Sequence, residues 1–358
     1  TPLPDDDREG DYTLAFGAHL NRQVSVAGDG NDTKTYQVDS TNVPSYVFLK
    51  AETDINEDVA LGAHVEYSVQ ENSAATVNQN NESSGFRTDG RFFQVTADSK
   101  TYGRGAFGKG WASSFFVFDV DKSGQAFGNF NATGQAFPGL LFYSKNLNDY
   151  TNITVGEAFL DIQQASLITR VRYDTPVWKG LQLSGHYGEN QLRGGRLLYN
   201  VNDLGDFDLT AAAAFQNKAS GGVQYRADAG LGILHKSSGI NLTVVGANQE
   251  FSGDGRESNG FAVRPGWRKR MFDIGETKTS VDFNRNWDVT QNGDTATSIG
   301  AFILQDIDKY GMQLYAGYRY FDLDRDDIDL DQISLFNVGM NVFFDGQITF
   351  DSTTRLVR

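Results

Sequence analysis

Apolar and polar residues alternate with a period of two over many short stretches of this chain. In Leu61–Gln70 every second residue is apolar or aromatic, with polar residues or glycine between. The same alternation recurs in Leu181–Gly188, Val223–Ile233 and Thr277–Trp287. Successive side chains of a strand point to opposite sides of its sheet, so this pattern is typical of strands with one apolar and one polar face. It predicts roughly sixteen such strands.

The connections between the predicted strands alternate between short and long. The short ones are Thr53–Glu57, Asp98–Lys100, Pro176–Lys179, Asp203–Gly205, Lys236–Ser238, Phe272–Asp273 and Lys309–Tyr310. The longer, polar ones are Ala27–Val43, Asn72–Arg87, Trp111–Gln163, Glu189–Arg193, Lys218–Gly222, Ser252–Ser258, Asp288–Gly293 and Asp322–Asp329. Tight turns at one rim and free loops at the other are typical of an up-and-down membrane barrel, and a Greek-key sandwich would not alternate so regularly.

One connection differs from the rest. Trp111–Gln163 is roughly fifty residues long, rich in Phe and Gly, and a loop of that length in a compact protein is usually functional. The interior of a wide barrel is too large for wall side chains to fill, so we expect residues 111–163 to fold inward and constrict it. The alternative is an extra hairpin, in which Phe115–Phe118 and Phe137–Tyr143 are strands.

Composition agrees with a β-barrel and excludes other classes. The chain has 358 residues with 39 Gly, 6 Pro, 13% aromatic residues and no Cys, which suits many strands joined by tight turns and gives no disulfide framework. Mean hydropathy is negative, as expected for strands with one polar face. A net charge of −15 makes nucleic acid an improbable partner. The opening Thr1-Pro-Leu-Pro is expected to be the start of a processed, exported chain.

Three segments resemble those of a known family. Ser45–Val69 looks like the strand–turn–strand of Gram-negative general porins. Tyr102-Gly-Arg-Gly-Ala-Phe-Gly-Lys109 resembles the segment that leads into their third loop. Thr169-Arg-Val-Arg-Tyr-Asp-Thr-Pro176 is similar to the hairpin that leaves it. The matches are collinear over residues 11 to about 190, and together they suggest a member of the general, trimeric outer-membrane porin family.

The resemblance implies a 16-stranded antiparallel transmembrane β-barrel, a homotrimer and an inward third loop whose carboxylates face basic residues of the wall. We expect one domain over 1–358, in which 345–358, beyond Phe344, is a tail or part of the last strand. Candidate wall residues of this constriction are Lys50, Lys109, Arg170, Arg172 and Tyr46, the last of which stands where the family usually has an arginine. Candidate loop acids are Asp119, Asp121, Asp149, Glu157 and Asp161. The family's Pro-Glu-Phe-Gly-Gly loop sequence is absent.

Other inward-facing arginines are expected to pair locally with Asp228 or Asp282 along the lumen; they are Arg226, Arg264, Arg268, Arg270 and Arg319. On the opposite face, contact with lipid or a neighbouring subunit is expected for Leu61, Val65, Leu183, Val223 and Val281.

Motifs for metals and catalysis are weak. Asp119-x-Asp121-x-Ser123-Gly124 imitates the start of a calcium loop, but Phe130 stands where the bidentate Glu belongs, and we reject it. The acids of Asp322–Asp331 are expected to be an ordinary solvated loop. The alternative is a divalent-cation site at Asp324, Asp326, Asp327 and Asp329 that bridges to lipopolysaccharide. The four histidines lack ligand spacing and no nucleophile motif is found, so neither a cofactor nor an enzyme is expected.

Three functions remain open at this point. The first is passive diffusion of ions and small hydrophilic solutes through the outer membrane of a Gram-negative bacterium. The second is a substrate-specific channel of the same fold, which a track of lumenal aromatic residues would favour, and Tyr46, Phe48 and Phe92 are positioned to begin one. The third is a surface β adhesin, which would not need detergent to stay monodisperse.

Overall fold

The computed structural model describes residues 11–115, 117–125, 133–160, 167–217, 222–253 and 255–350. Within these ranges the chain is almost entirely β-strand. The strands are β1 (Tyr12–Gly28), β2 (Thr33–Asp39), β3 (Tyr46–Asp54), β4 (Val59–Gln70), β5 (Arg87–Ser99), β6 (Gly103–Trp111), β7 (Leu141–Ser144), β8 (Asp149–Thr154), β9 (Leu167–Asp174), β10 (Leu181–Gly188), β11 (Arg193–Leu204), β12 (Phe207–Asn217), β13 (Val223–His235), β14 (Ile240–Phe251), β15 (Glu257–Phe272), β16 (Gly275–Trp287), β17 (Thr295–Ile307), β18 (Met312–Asp324) and β19 (Ile333–Phe350). Two single-turn helices are α1 (Val117–Val120) and α2 (Val155–Ala158).

The strands form a closed antiparallel barrel. From β3 to β6 and from β9 to β19 each strand pairs with the next one, β6 pairs with β9, and β1 closes the sheet on β19. Strand β1 pairs with β3 over its first half, from Tyr12 to His19, and with β2 over its second half, from Arg22 to Gly28. Strands β2 and β3 therefore fill one position of the wall together. The described strands of the main sheet therefore occupy sixteen positions, which confirms the predicted 16-stranded β-barrel.

Short turns lie at one rim of the barrel and longer connections at the other, as predicted, with one correction. The expected long loop Ala27–Val43 is mostly strand, because β2 occupies its centre. The remaining turn is tight: the Asp29 carboxylate accepts hydrogen bonds from the backbone N–H groups of Asn31 and Asp32, at 3.1 and 2.8 Å. A side chain that binds its own backbone in this way can replace a long loop.

The outer face of the wall is apolar. Leu61, Leu183 and Val281 lie on it with about half of their surface exposed, and Val65 is partly exposed. Val223, predicted for the same face, is instead buried inside. A bulge between Val223 and Tyr225 adds one residue to β13 and reverses the direction of its first side chain. No helix in the described ranges is long and apolar enough to cross a bilayer.

The interior is filled partly by the connection between β6 and β9. Strands β7 and β8 form a separate two-stranded sheet, so they are a hairpin of this connection and not part of the wall. At the other end of the chain, β19 continues past Phe344 to Phe350, whose ring stacks on Tyr12 at 5.0 Å between centroids. Residues 345–350 therefore belong to the last strand.

Candidate pore constriction

The first part of the long connection, residues 112–125, crosses the lumen along the inner wall. Ser114 donates a hydrogen bond to Gln216 on β12 at 2.6 Å, and the Lys122 ammonium donates to Thr210 on the same strand at 2.7 Å. Further along, Gln125 accepts a hydrogen bond from Ser280 on β16 at 2.7 Å. The segment thus passes from β6 to the wall on the far side of the barrel.

Two glycines, Gly232 of the wall and Gly124 of the segment, show how closely the segment approaches the wall. A Cβ atom at Gly232 on β13 would lie 1.7 Å from the carbonyl oxygen of Val120. A Cβ atom at Gly124, in the segment itself, would lie 3.2 Å from the side chain of Lys278. Only glycine at 232 allows the two backbones to touch.

Asp119 of this segment forms an ion pair with the wall. Its Oδ2 lies 2.7 Å from Nη1 of Arg196 on β11, and the same guanidinium donates to the carbonyl of Phe115 at 2.9 Å. Partial withdrawal from water raises the pKa of Asp119, and the positive charge of Arg196 opposes that rise. Desolvation also lowers the pKa of the nearby Lys122 ammonium.

Asp121 joins a second network, on β15 and the strands that follow it. Its Oδ2 lies 3.8 Å from Arg264 on β15. Arg264 and Arg319 both contact the Asp282 carboxylate, at 3.1 and 2.8 Å. Buried charges of opposite sign hold each other in fixed positions, since separation would leave a charge without a partner in a poorly solvated site.

The second described part of the long connection, residues 133–160, packs as an apolar layer on the inner wall near the rim that bears the β1–β2 turn. Phe137 is fully buried and its ring meets Tyr36 of β2 edge-on at 5.3 Å. The layer also buries residues of β17, β18 and β19, among them Ala296, Phe321 and Leu335. At the hairpin, Lys145 pairs with Asp331 at 2.7 Å, which connects this loop to the loop before β19.

Glu157, at the start of α2, lines a cavity that remains beside this layer. The cavity has a volume of about 600 Å³, and its wall includes Arg226, Arg256 and Arg325. Glu157 closes a capping box with Thr154, whose side chain accepts a hydrogen bond from the Glu157 N–H. An acid of the loop and three bases thus line one cavity.

The remaining predicted loop acids lie elsewhere. Asp149 is exposed at the β7–β8 hairpin, next to Tyr150, which donates a hydrogen bond to Asp29 at 3.0 Å. That contact places the hairpin at the rim that bears the β1–β2 turn. Asp161 lies outside the described residues.

The predicted wall bases divide into two groups. Arg170 and Arg172 point inward, as the alternation of β9 indicated. Arg172 binds Asp174 with two nitrogens and donates to the carbonyl of Ala112 at 3.2 Å. Arg170 donates to the carbonyls of Gly108 and Trp111 at 2.8 and 3.0 Å. These bases therefore hold the strand end from which the loop departs.

Lys50 and Tyr46 also face the lumen, on β3. The Lys50 ammonium lies 5.1 Å from the centroid of the Phe48 ring, in an open cavity of about 450 Å³ near the turn rim. Lys109 does not face the lumen. It pairs in register with Phe93, which is 67% exposed on the outer face, and this corrects the expectation that Lys109 lines the pore.

Local pairing of the other arginines agrees with expectation in most cases. Arg226 binds Asp228 at 2.8 Å, and Arg264 and Arg319 share Asp282 as described above. Arg268 instead pairs with Glu276 at 3.2 Å, and Arg270 with Asp308 at the turn rim. Of the bases that contact or surround the loop acids, Arg226 and Arg264 were predicted to face the lumen, whereas Arg196, Arg256 and Arg325 were not predicted. Two of them lie in loops or at loop boundaries, where alternation gives no direction.

The acids of the loop before β19 do not converge. In the part of the chain that the structure describes, no group of three or more His, Asp or Glu side chains is arranged to hold a metal ion. Asp327 is bound by Arg325 at 2.8 Å and by Gln291, and these hydrogen bonds lower the pKa of Asp327 to about 2. Asp324, Asp326 and Asp329 line a shallow cavity with it but share no common centre.

Solved structures with the same fold are outer-membrane proteins. The anion-selective porin from Comamonas acidovorans has a TM-score of 0.63 and 14% identity over 93% of this chain and all of its own. Salmonella typhi OmpF has a TM-score of 0.60 and 16% identity over 92% and 97% of the two chains. A loop L8 deletion mutant of OmpT from Vibrio cholerae has a TM-score of 0.60 and 14% identity over 93% and 99%.

No family model and no curated protein matches the sequence. At these identities the structural likeness shows the fold, which is that of a porin. With its apolar outer face, this chain is a multi-pass transmembrane β-barrel of the outer-membrane type.

Proposed function

We propose that the chain is a general porin of a Gram-negative outer membrane, which lets ions and small hydrophilic solutes diffuse passively and catalyses no reaction. The observation that carries the proposal is the path of residues 112–125. This segment binds the wall at Arg196, Thr210 and Ser280, while polar side chains and open cavities remain on both sides of it. A sixteen-stranded barrel is too wide to be filled by side chains, so such a loop narrows the lumen without closing it.

The proposed partners follow from the same fold. We expect a homotrimer, as the Vibrio cholerae OmpT structure described as a trimer form supports by likeness at 14% identity. Lipid and lipopolysaccharide would cover the rest of the apolar face. Lys109 and Arg285, which point outward near the loop rim, would bind the phosphates of lipopolysaccharide in this proposal.

Liposome swelling tests the proposal. Purified protein is reconstituted into vesicles and diluted into isotonic solutions of neutral polyols and amino acids of increasing size. Rates above those of protein-free vesicles, falling steeply with solute size, are the expected result. Swelling no faster than in protein-free vesicles, from protein shown to be folded, would contradict a diffusion channel.

A further inference from the structure

A row of aromatic rings follows the inner wall where the loop leaves β6. It consists of Phe48 and Tyr46 on β3, Phe92 on β5, Trp111 at the end of β6, and Phe115 in the loop, and is called here the aromatic track. Trp111 stacks on Phe115 at 4.6 Å and meets Phe92 edge-on at 5.9 Å. Tyr46 and Phe48 have centroids 6.3 Å apart.

Arg91 joins the two halves of the track. Its guanidinium lies 5.6 Å from the ring centroid of Tyr46 and 5.6 Å from that of Trp111. A bulge at Arg91, between the pairs Glu66–Phe92 and Tyr67–Gly90, gives it this position by adding one residue to β5. The track is therefore continuous from the loop down β3 toward the cavity at Lys50.

The rings of the track remain accessible from the lumen. All five are partly exposed. Tyr46, Phe48 and Phe92 lie on the inner face of the wall, and Trp111, at the end of β6, contacts Phe92 and the loop residue Phe115. Phe93, the next residue after Phe92, points to the outer face.

The charges beside Arg91 are balanced, whereas Lys50 adds one positive charge next to Phe48. Arg91 forms an ion pair with Glu66 at 2.6 Å, and Glu66 Oε2 lies 3.4 Å from His64. At the β9 wall, by contrast, Arg170 and Arg172 both bind the carbonyl of Trp111. The track thus offers aromatic rings and the guanidinium of Arg91, with the ammonium of Lys50 beside Phe48.

We propose that the aromatic track binds uncharged saccharides in transit through the channel. The inference rests on the proposed channel function and adds a substrate class to it. One face of a pyranose ring presents C–H groups with partial positive charge, which the negative face of an aromatic ring attracts. The hydroxyl groups at its edge can bind the guanidinium of Arg91, which is partly exposed, and hydrogen bonds to charged groups are strong.

Ion-current block in planar bilayers tests the proposal. A linear gluco-oligosaccharide of about six units is added to the open channel, and a polyethylene glycol of the same hydrodynamic size serves as the probe without sugar rings. We expect saturable, concentration-dependent block by the saccharide and only a linear reduction of current by the polymer. Tyr46→Ala and Phe92→Ala should each weaken saccharide binding, which would raise the half-blocking concentration about 3- to 10-fold.

Two controls make the outcome decisive. Phe93→Ala removes an adjacent ring from the outer face and should leave the half-blocking concentration unchanged, and Tyr46→Phe should retain most of the binding. Block that does not saturate, or that both alanine variants leave unchanged, overturns the inference while the open channel upholds the proposed function. Saturable block by an aromatic carboxylate but not by the saccharide overturns the substrate class. Absence of any channel would count against the proposed function itself.

Discussion

The Asp119 carboxylate lies 2.7 Å from the Arg196 guanidinium, and this ion pair connects two residues that are 77 positions apart in the chain. It holds the middle of the lumenal segment against β11. Each residue supplies one of the two charges of this ion pair, so replacing either side chain by alanine should loosen the same segment.

Asp119→Ala and Arg196→Ala should therefore each increase the current noise of the open channel, and the double variant should be no noisier than the noisier single variant. Residues that act through one contact are non-additive in this way. Single-channel recordings of the three variants provide the measurement. Additive increases would show that the two side chains act separately.

The contact at Gly232 offers a second way to displace the segment without changing any charge. A Cβ atom there would collide with the carbonyl of Val120, so Gly232→Ala should move the loop into the lumen and change the conductance. Gly246→Ala on β14 is the control, because its Cβ would lie 3.6 Å from the nearest atom, an ordinary contact. Equal conductance of both variants would show that the loop does not touch the wall at Gly232.

The apolar layer under the hairpin should keep the second part of the loop in place. Phe137→Ala removes a fully buried ring, which typically costs about 3–5 kcal/mol. We expect larger and more variable conductance, measured on protein that still shifts in a heat-modifiability gel. Phe336→Ala, on the outer face of β19, removes the same side chain from the lipid side and should leave conductance unchanged.

Lys50 faces the lumen and Lys109 faces the outer side of the wall, so charge reversal at the two positions should have different effects. The net charge of −15 favours weak cation selectivity that fades as salt rises, since charge effects at the mouths are screened within about 8 Å at physiological ionic strength. Lys50→Glu should strengthen cation preference, because this lysine lines the lumen. Lys109→Glu should have little effect. Reversal potentials under a salt gradient measure both, and a larger shift for Lys109→Glu would contradict the register of β6.

Much of the barrel could be predicted from alternation, because side-chain direction in a strand depends only on parity. Leu61 and Glu66 point as their pattern indicated. The errors have local causes. At Val223 a bulge shifts the alternation by one residue. Lys109 was expected in the lumen because of the family resemblance, although its position two residues after Phe107 places both side chains on the outer face. The contacts at Arg196, Arg256 and Arg325 depend on the path of the long loop, which has no period from which direction could be predicted.

The two faces of β5 allow the membrane orientation of the wall to be tested. Val95 is 55% exposed on the outer face near the middle of the strand, and Thr96 faces the lumen. Val95→Arg should reduce the free energy of unfolding by about 2–4 kcal/mol in lipid, the usual cost of an arginine near the midplane. Thr96→Arg should cost much less. Denaturant titrations of both variants in liposomes would reveal the difference, and equal losses would contradict the assignment of the outer face.

We propose that the lumen is open and that residues 112–125 narrow it. Single-channel conductance of the purified, folded protein in planar bilayers tests both parts of this proposal. We predict discrete current steps that grow with salt concentration, and larger or noisier steps for Asp119→Ala, which removes the ion pair between the segment and β11. Folded protein that inserts but gives no steps would exclude an open lumen, and an Asp119→Ala variant whose steps match those of the parent would exclude a constriction held by this ion pair.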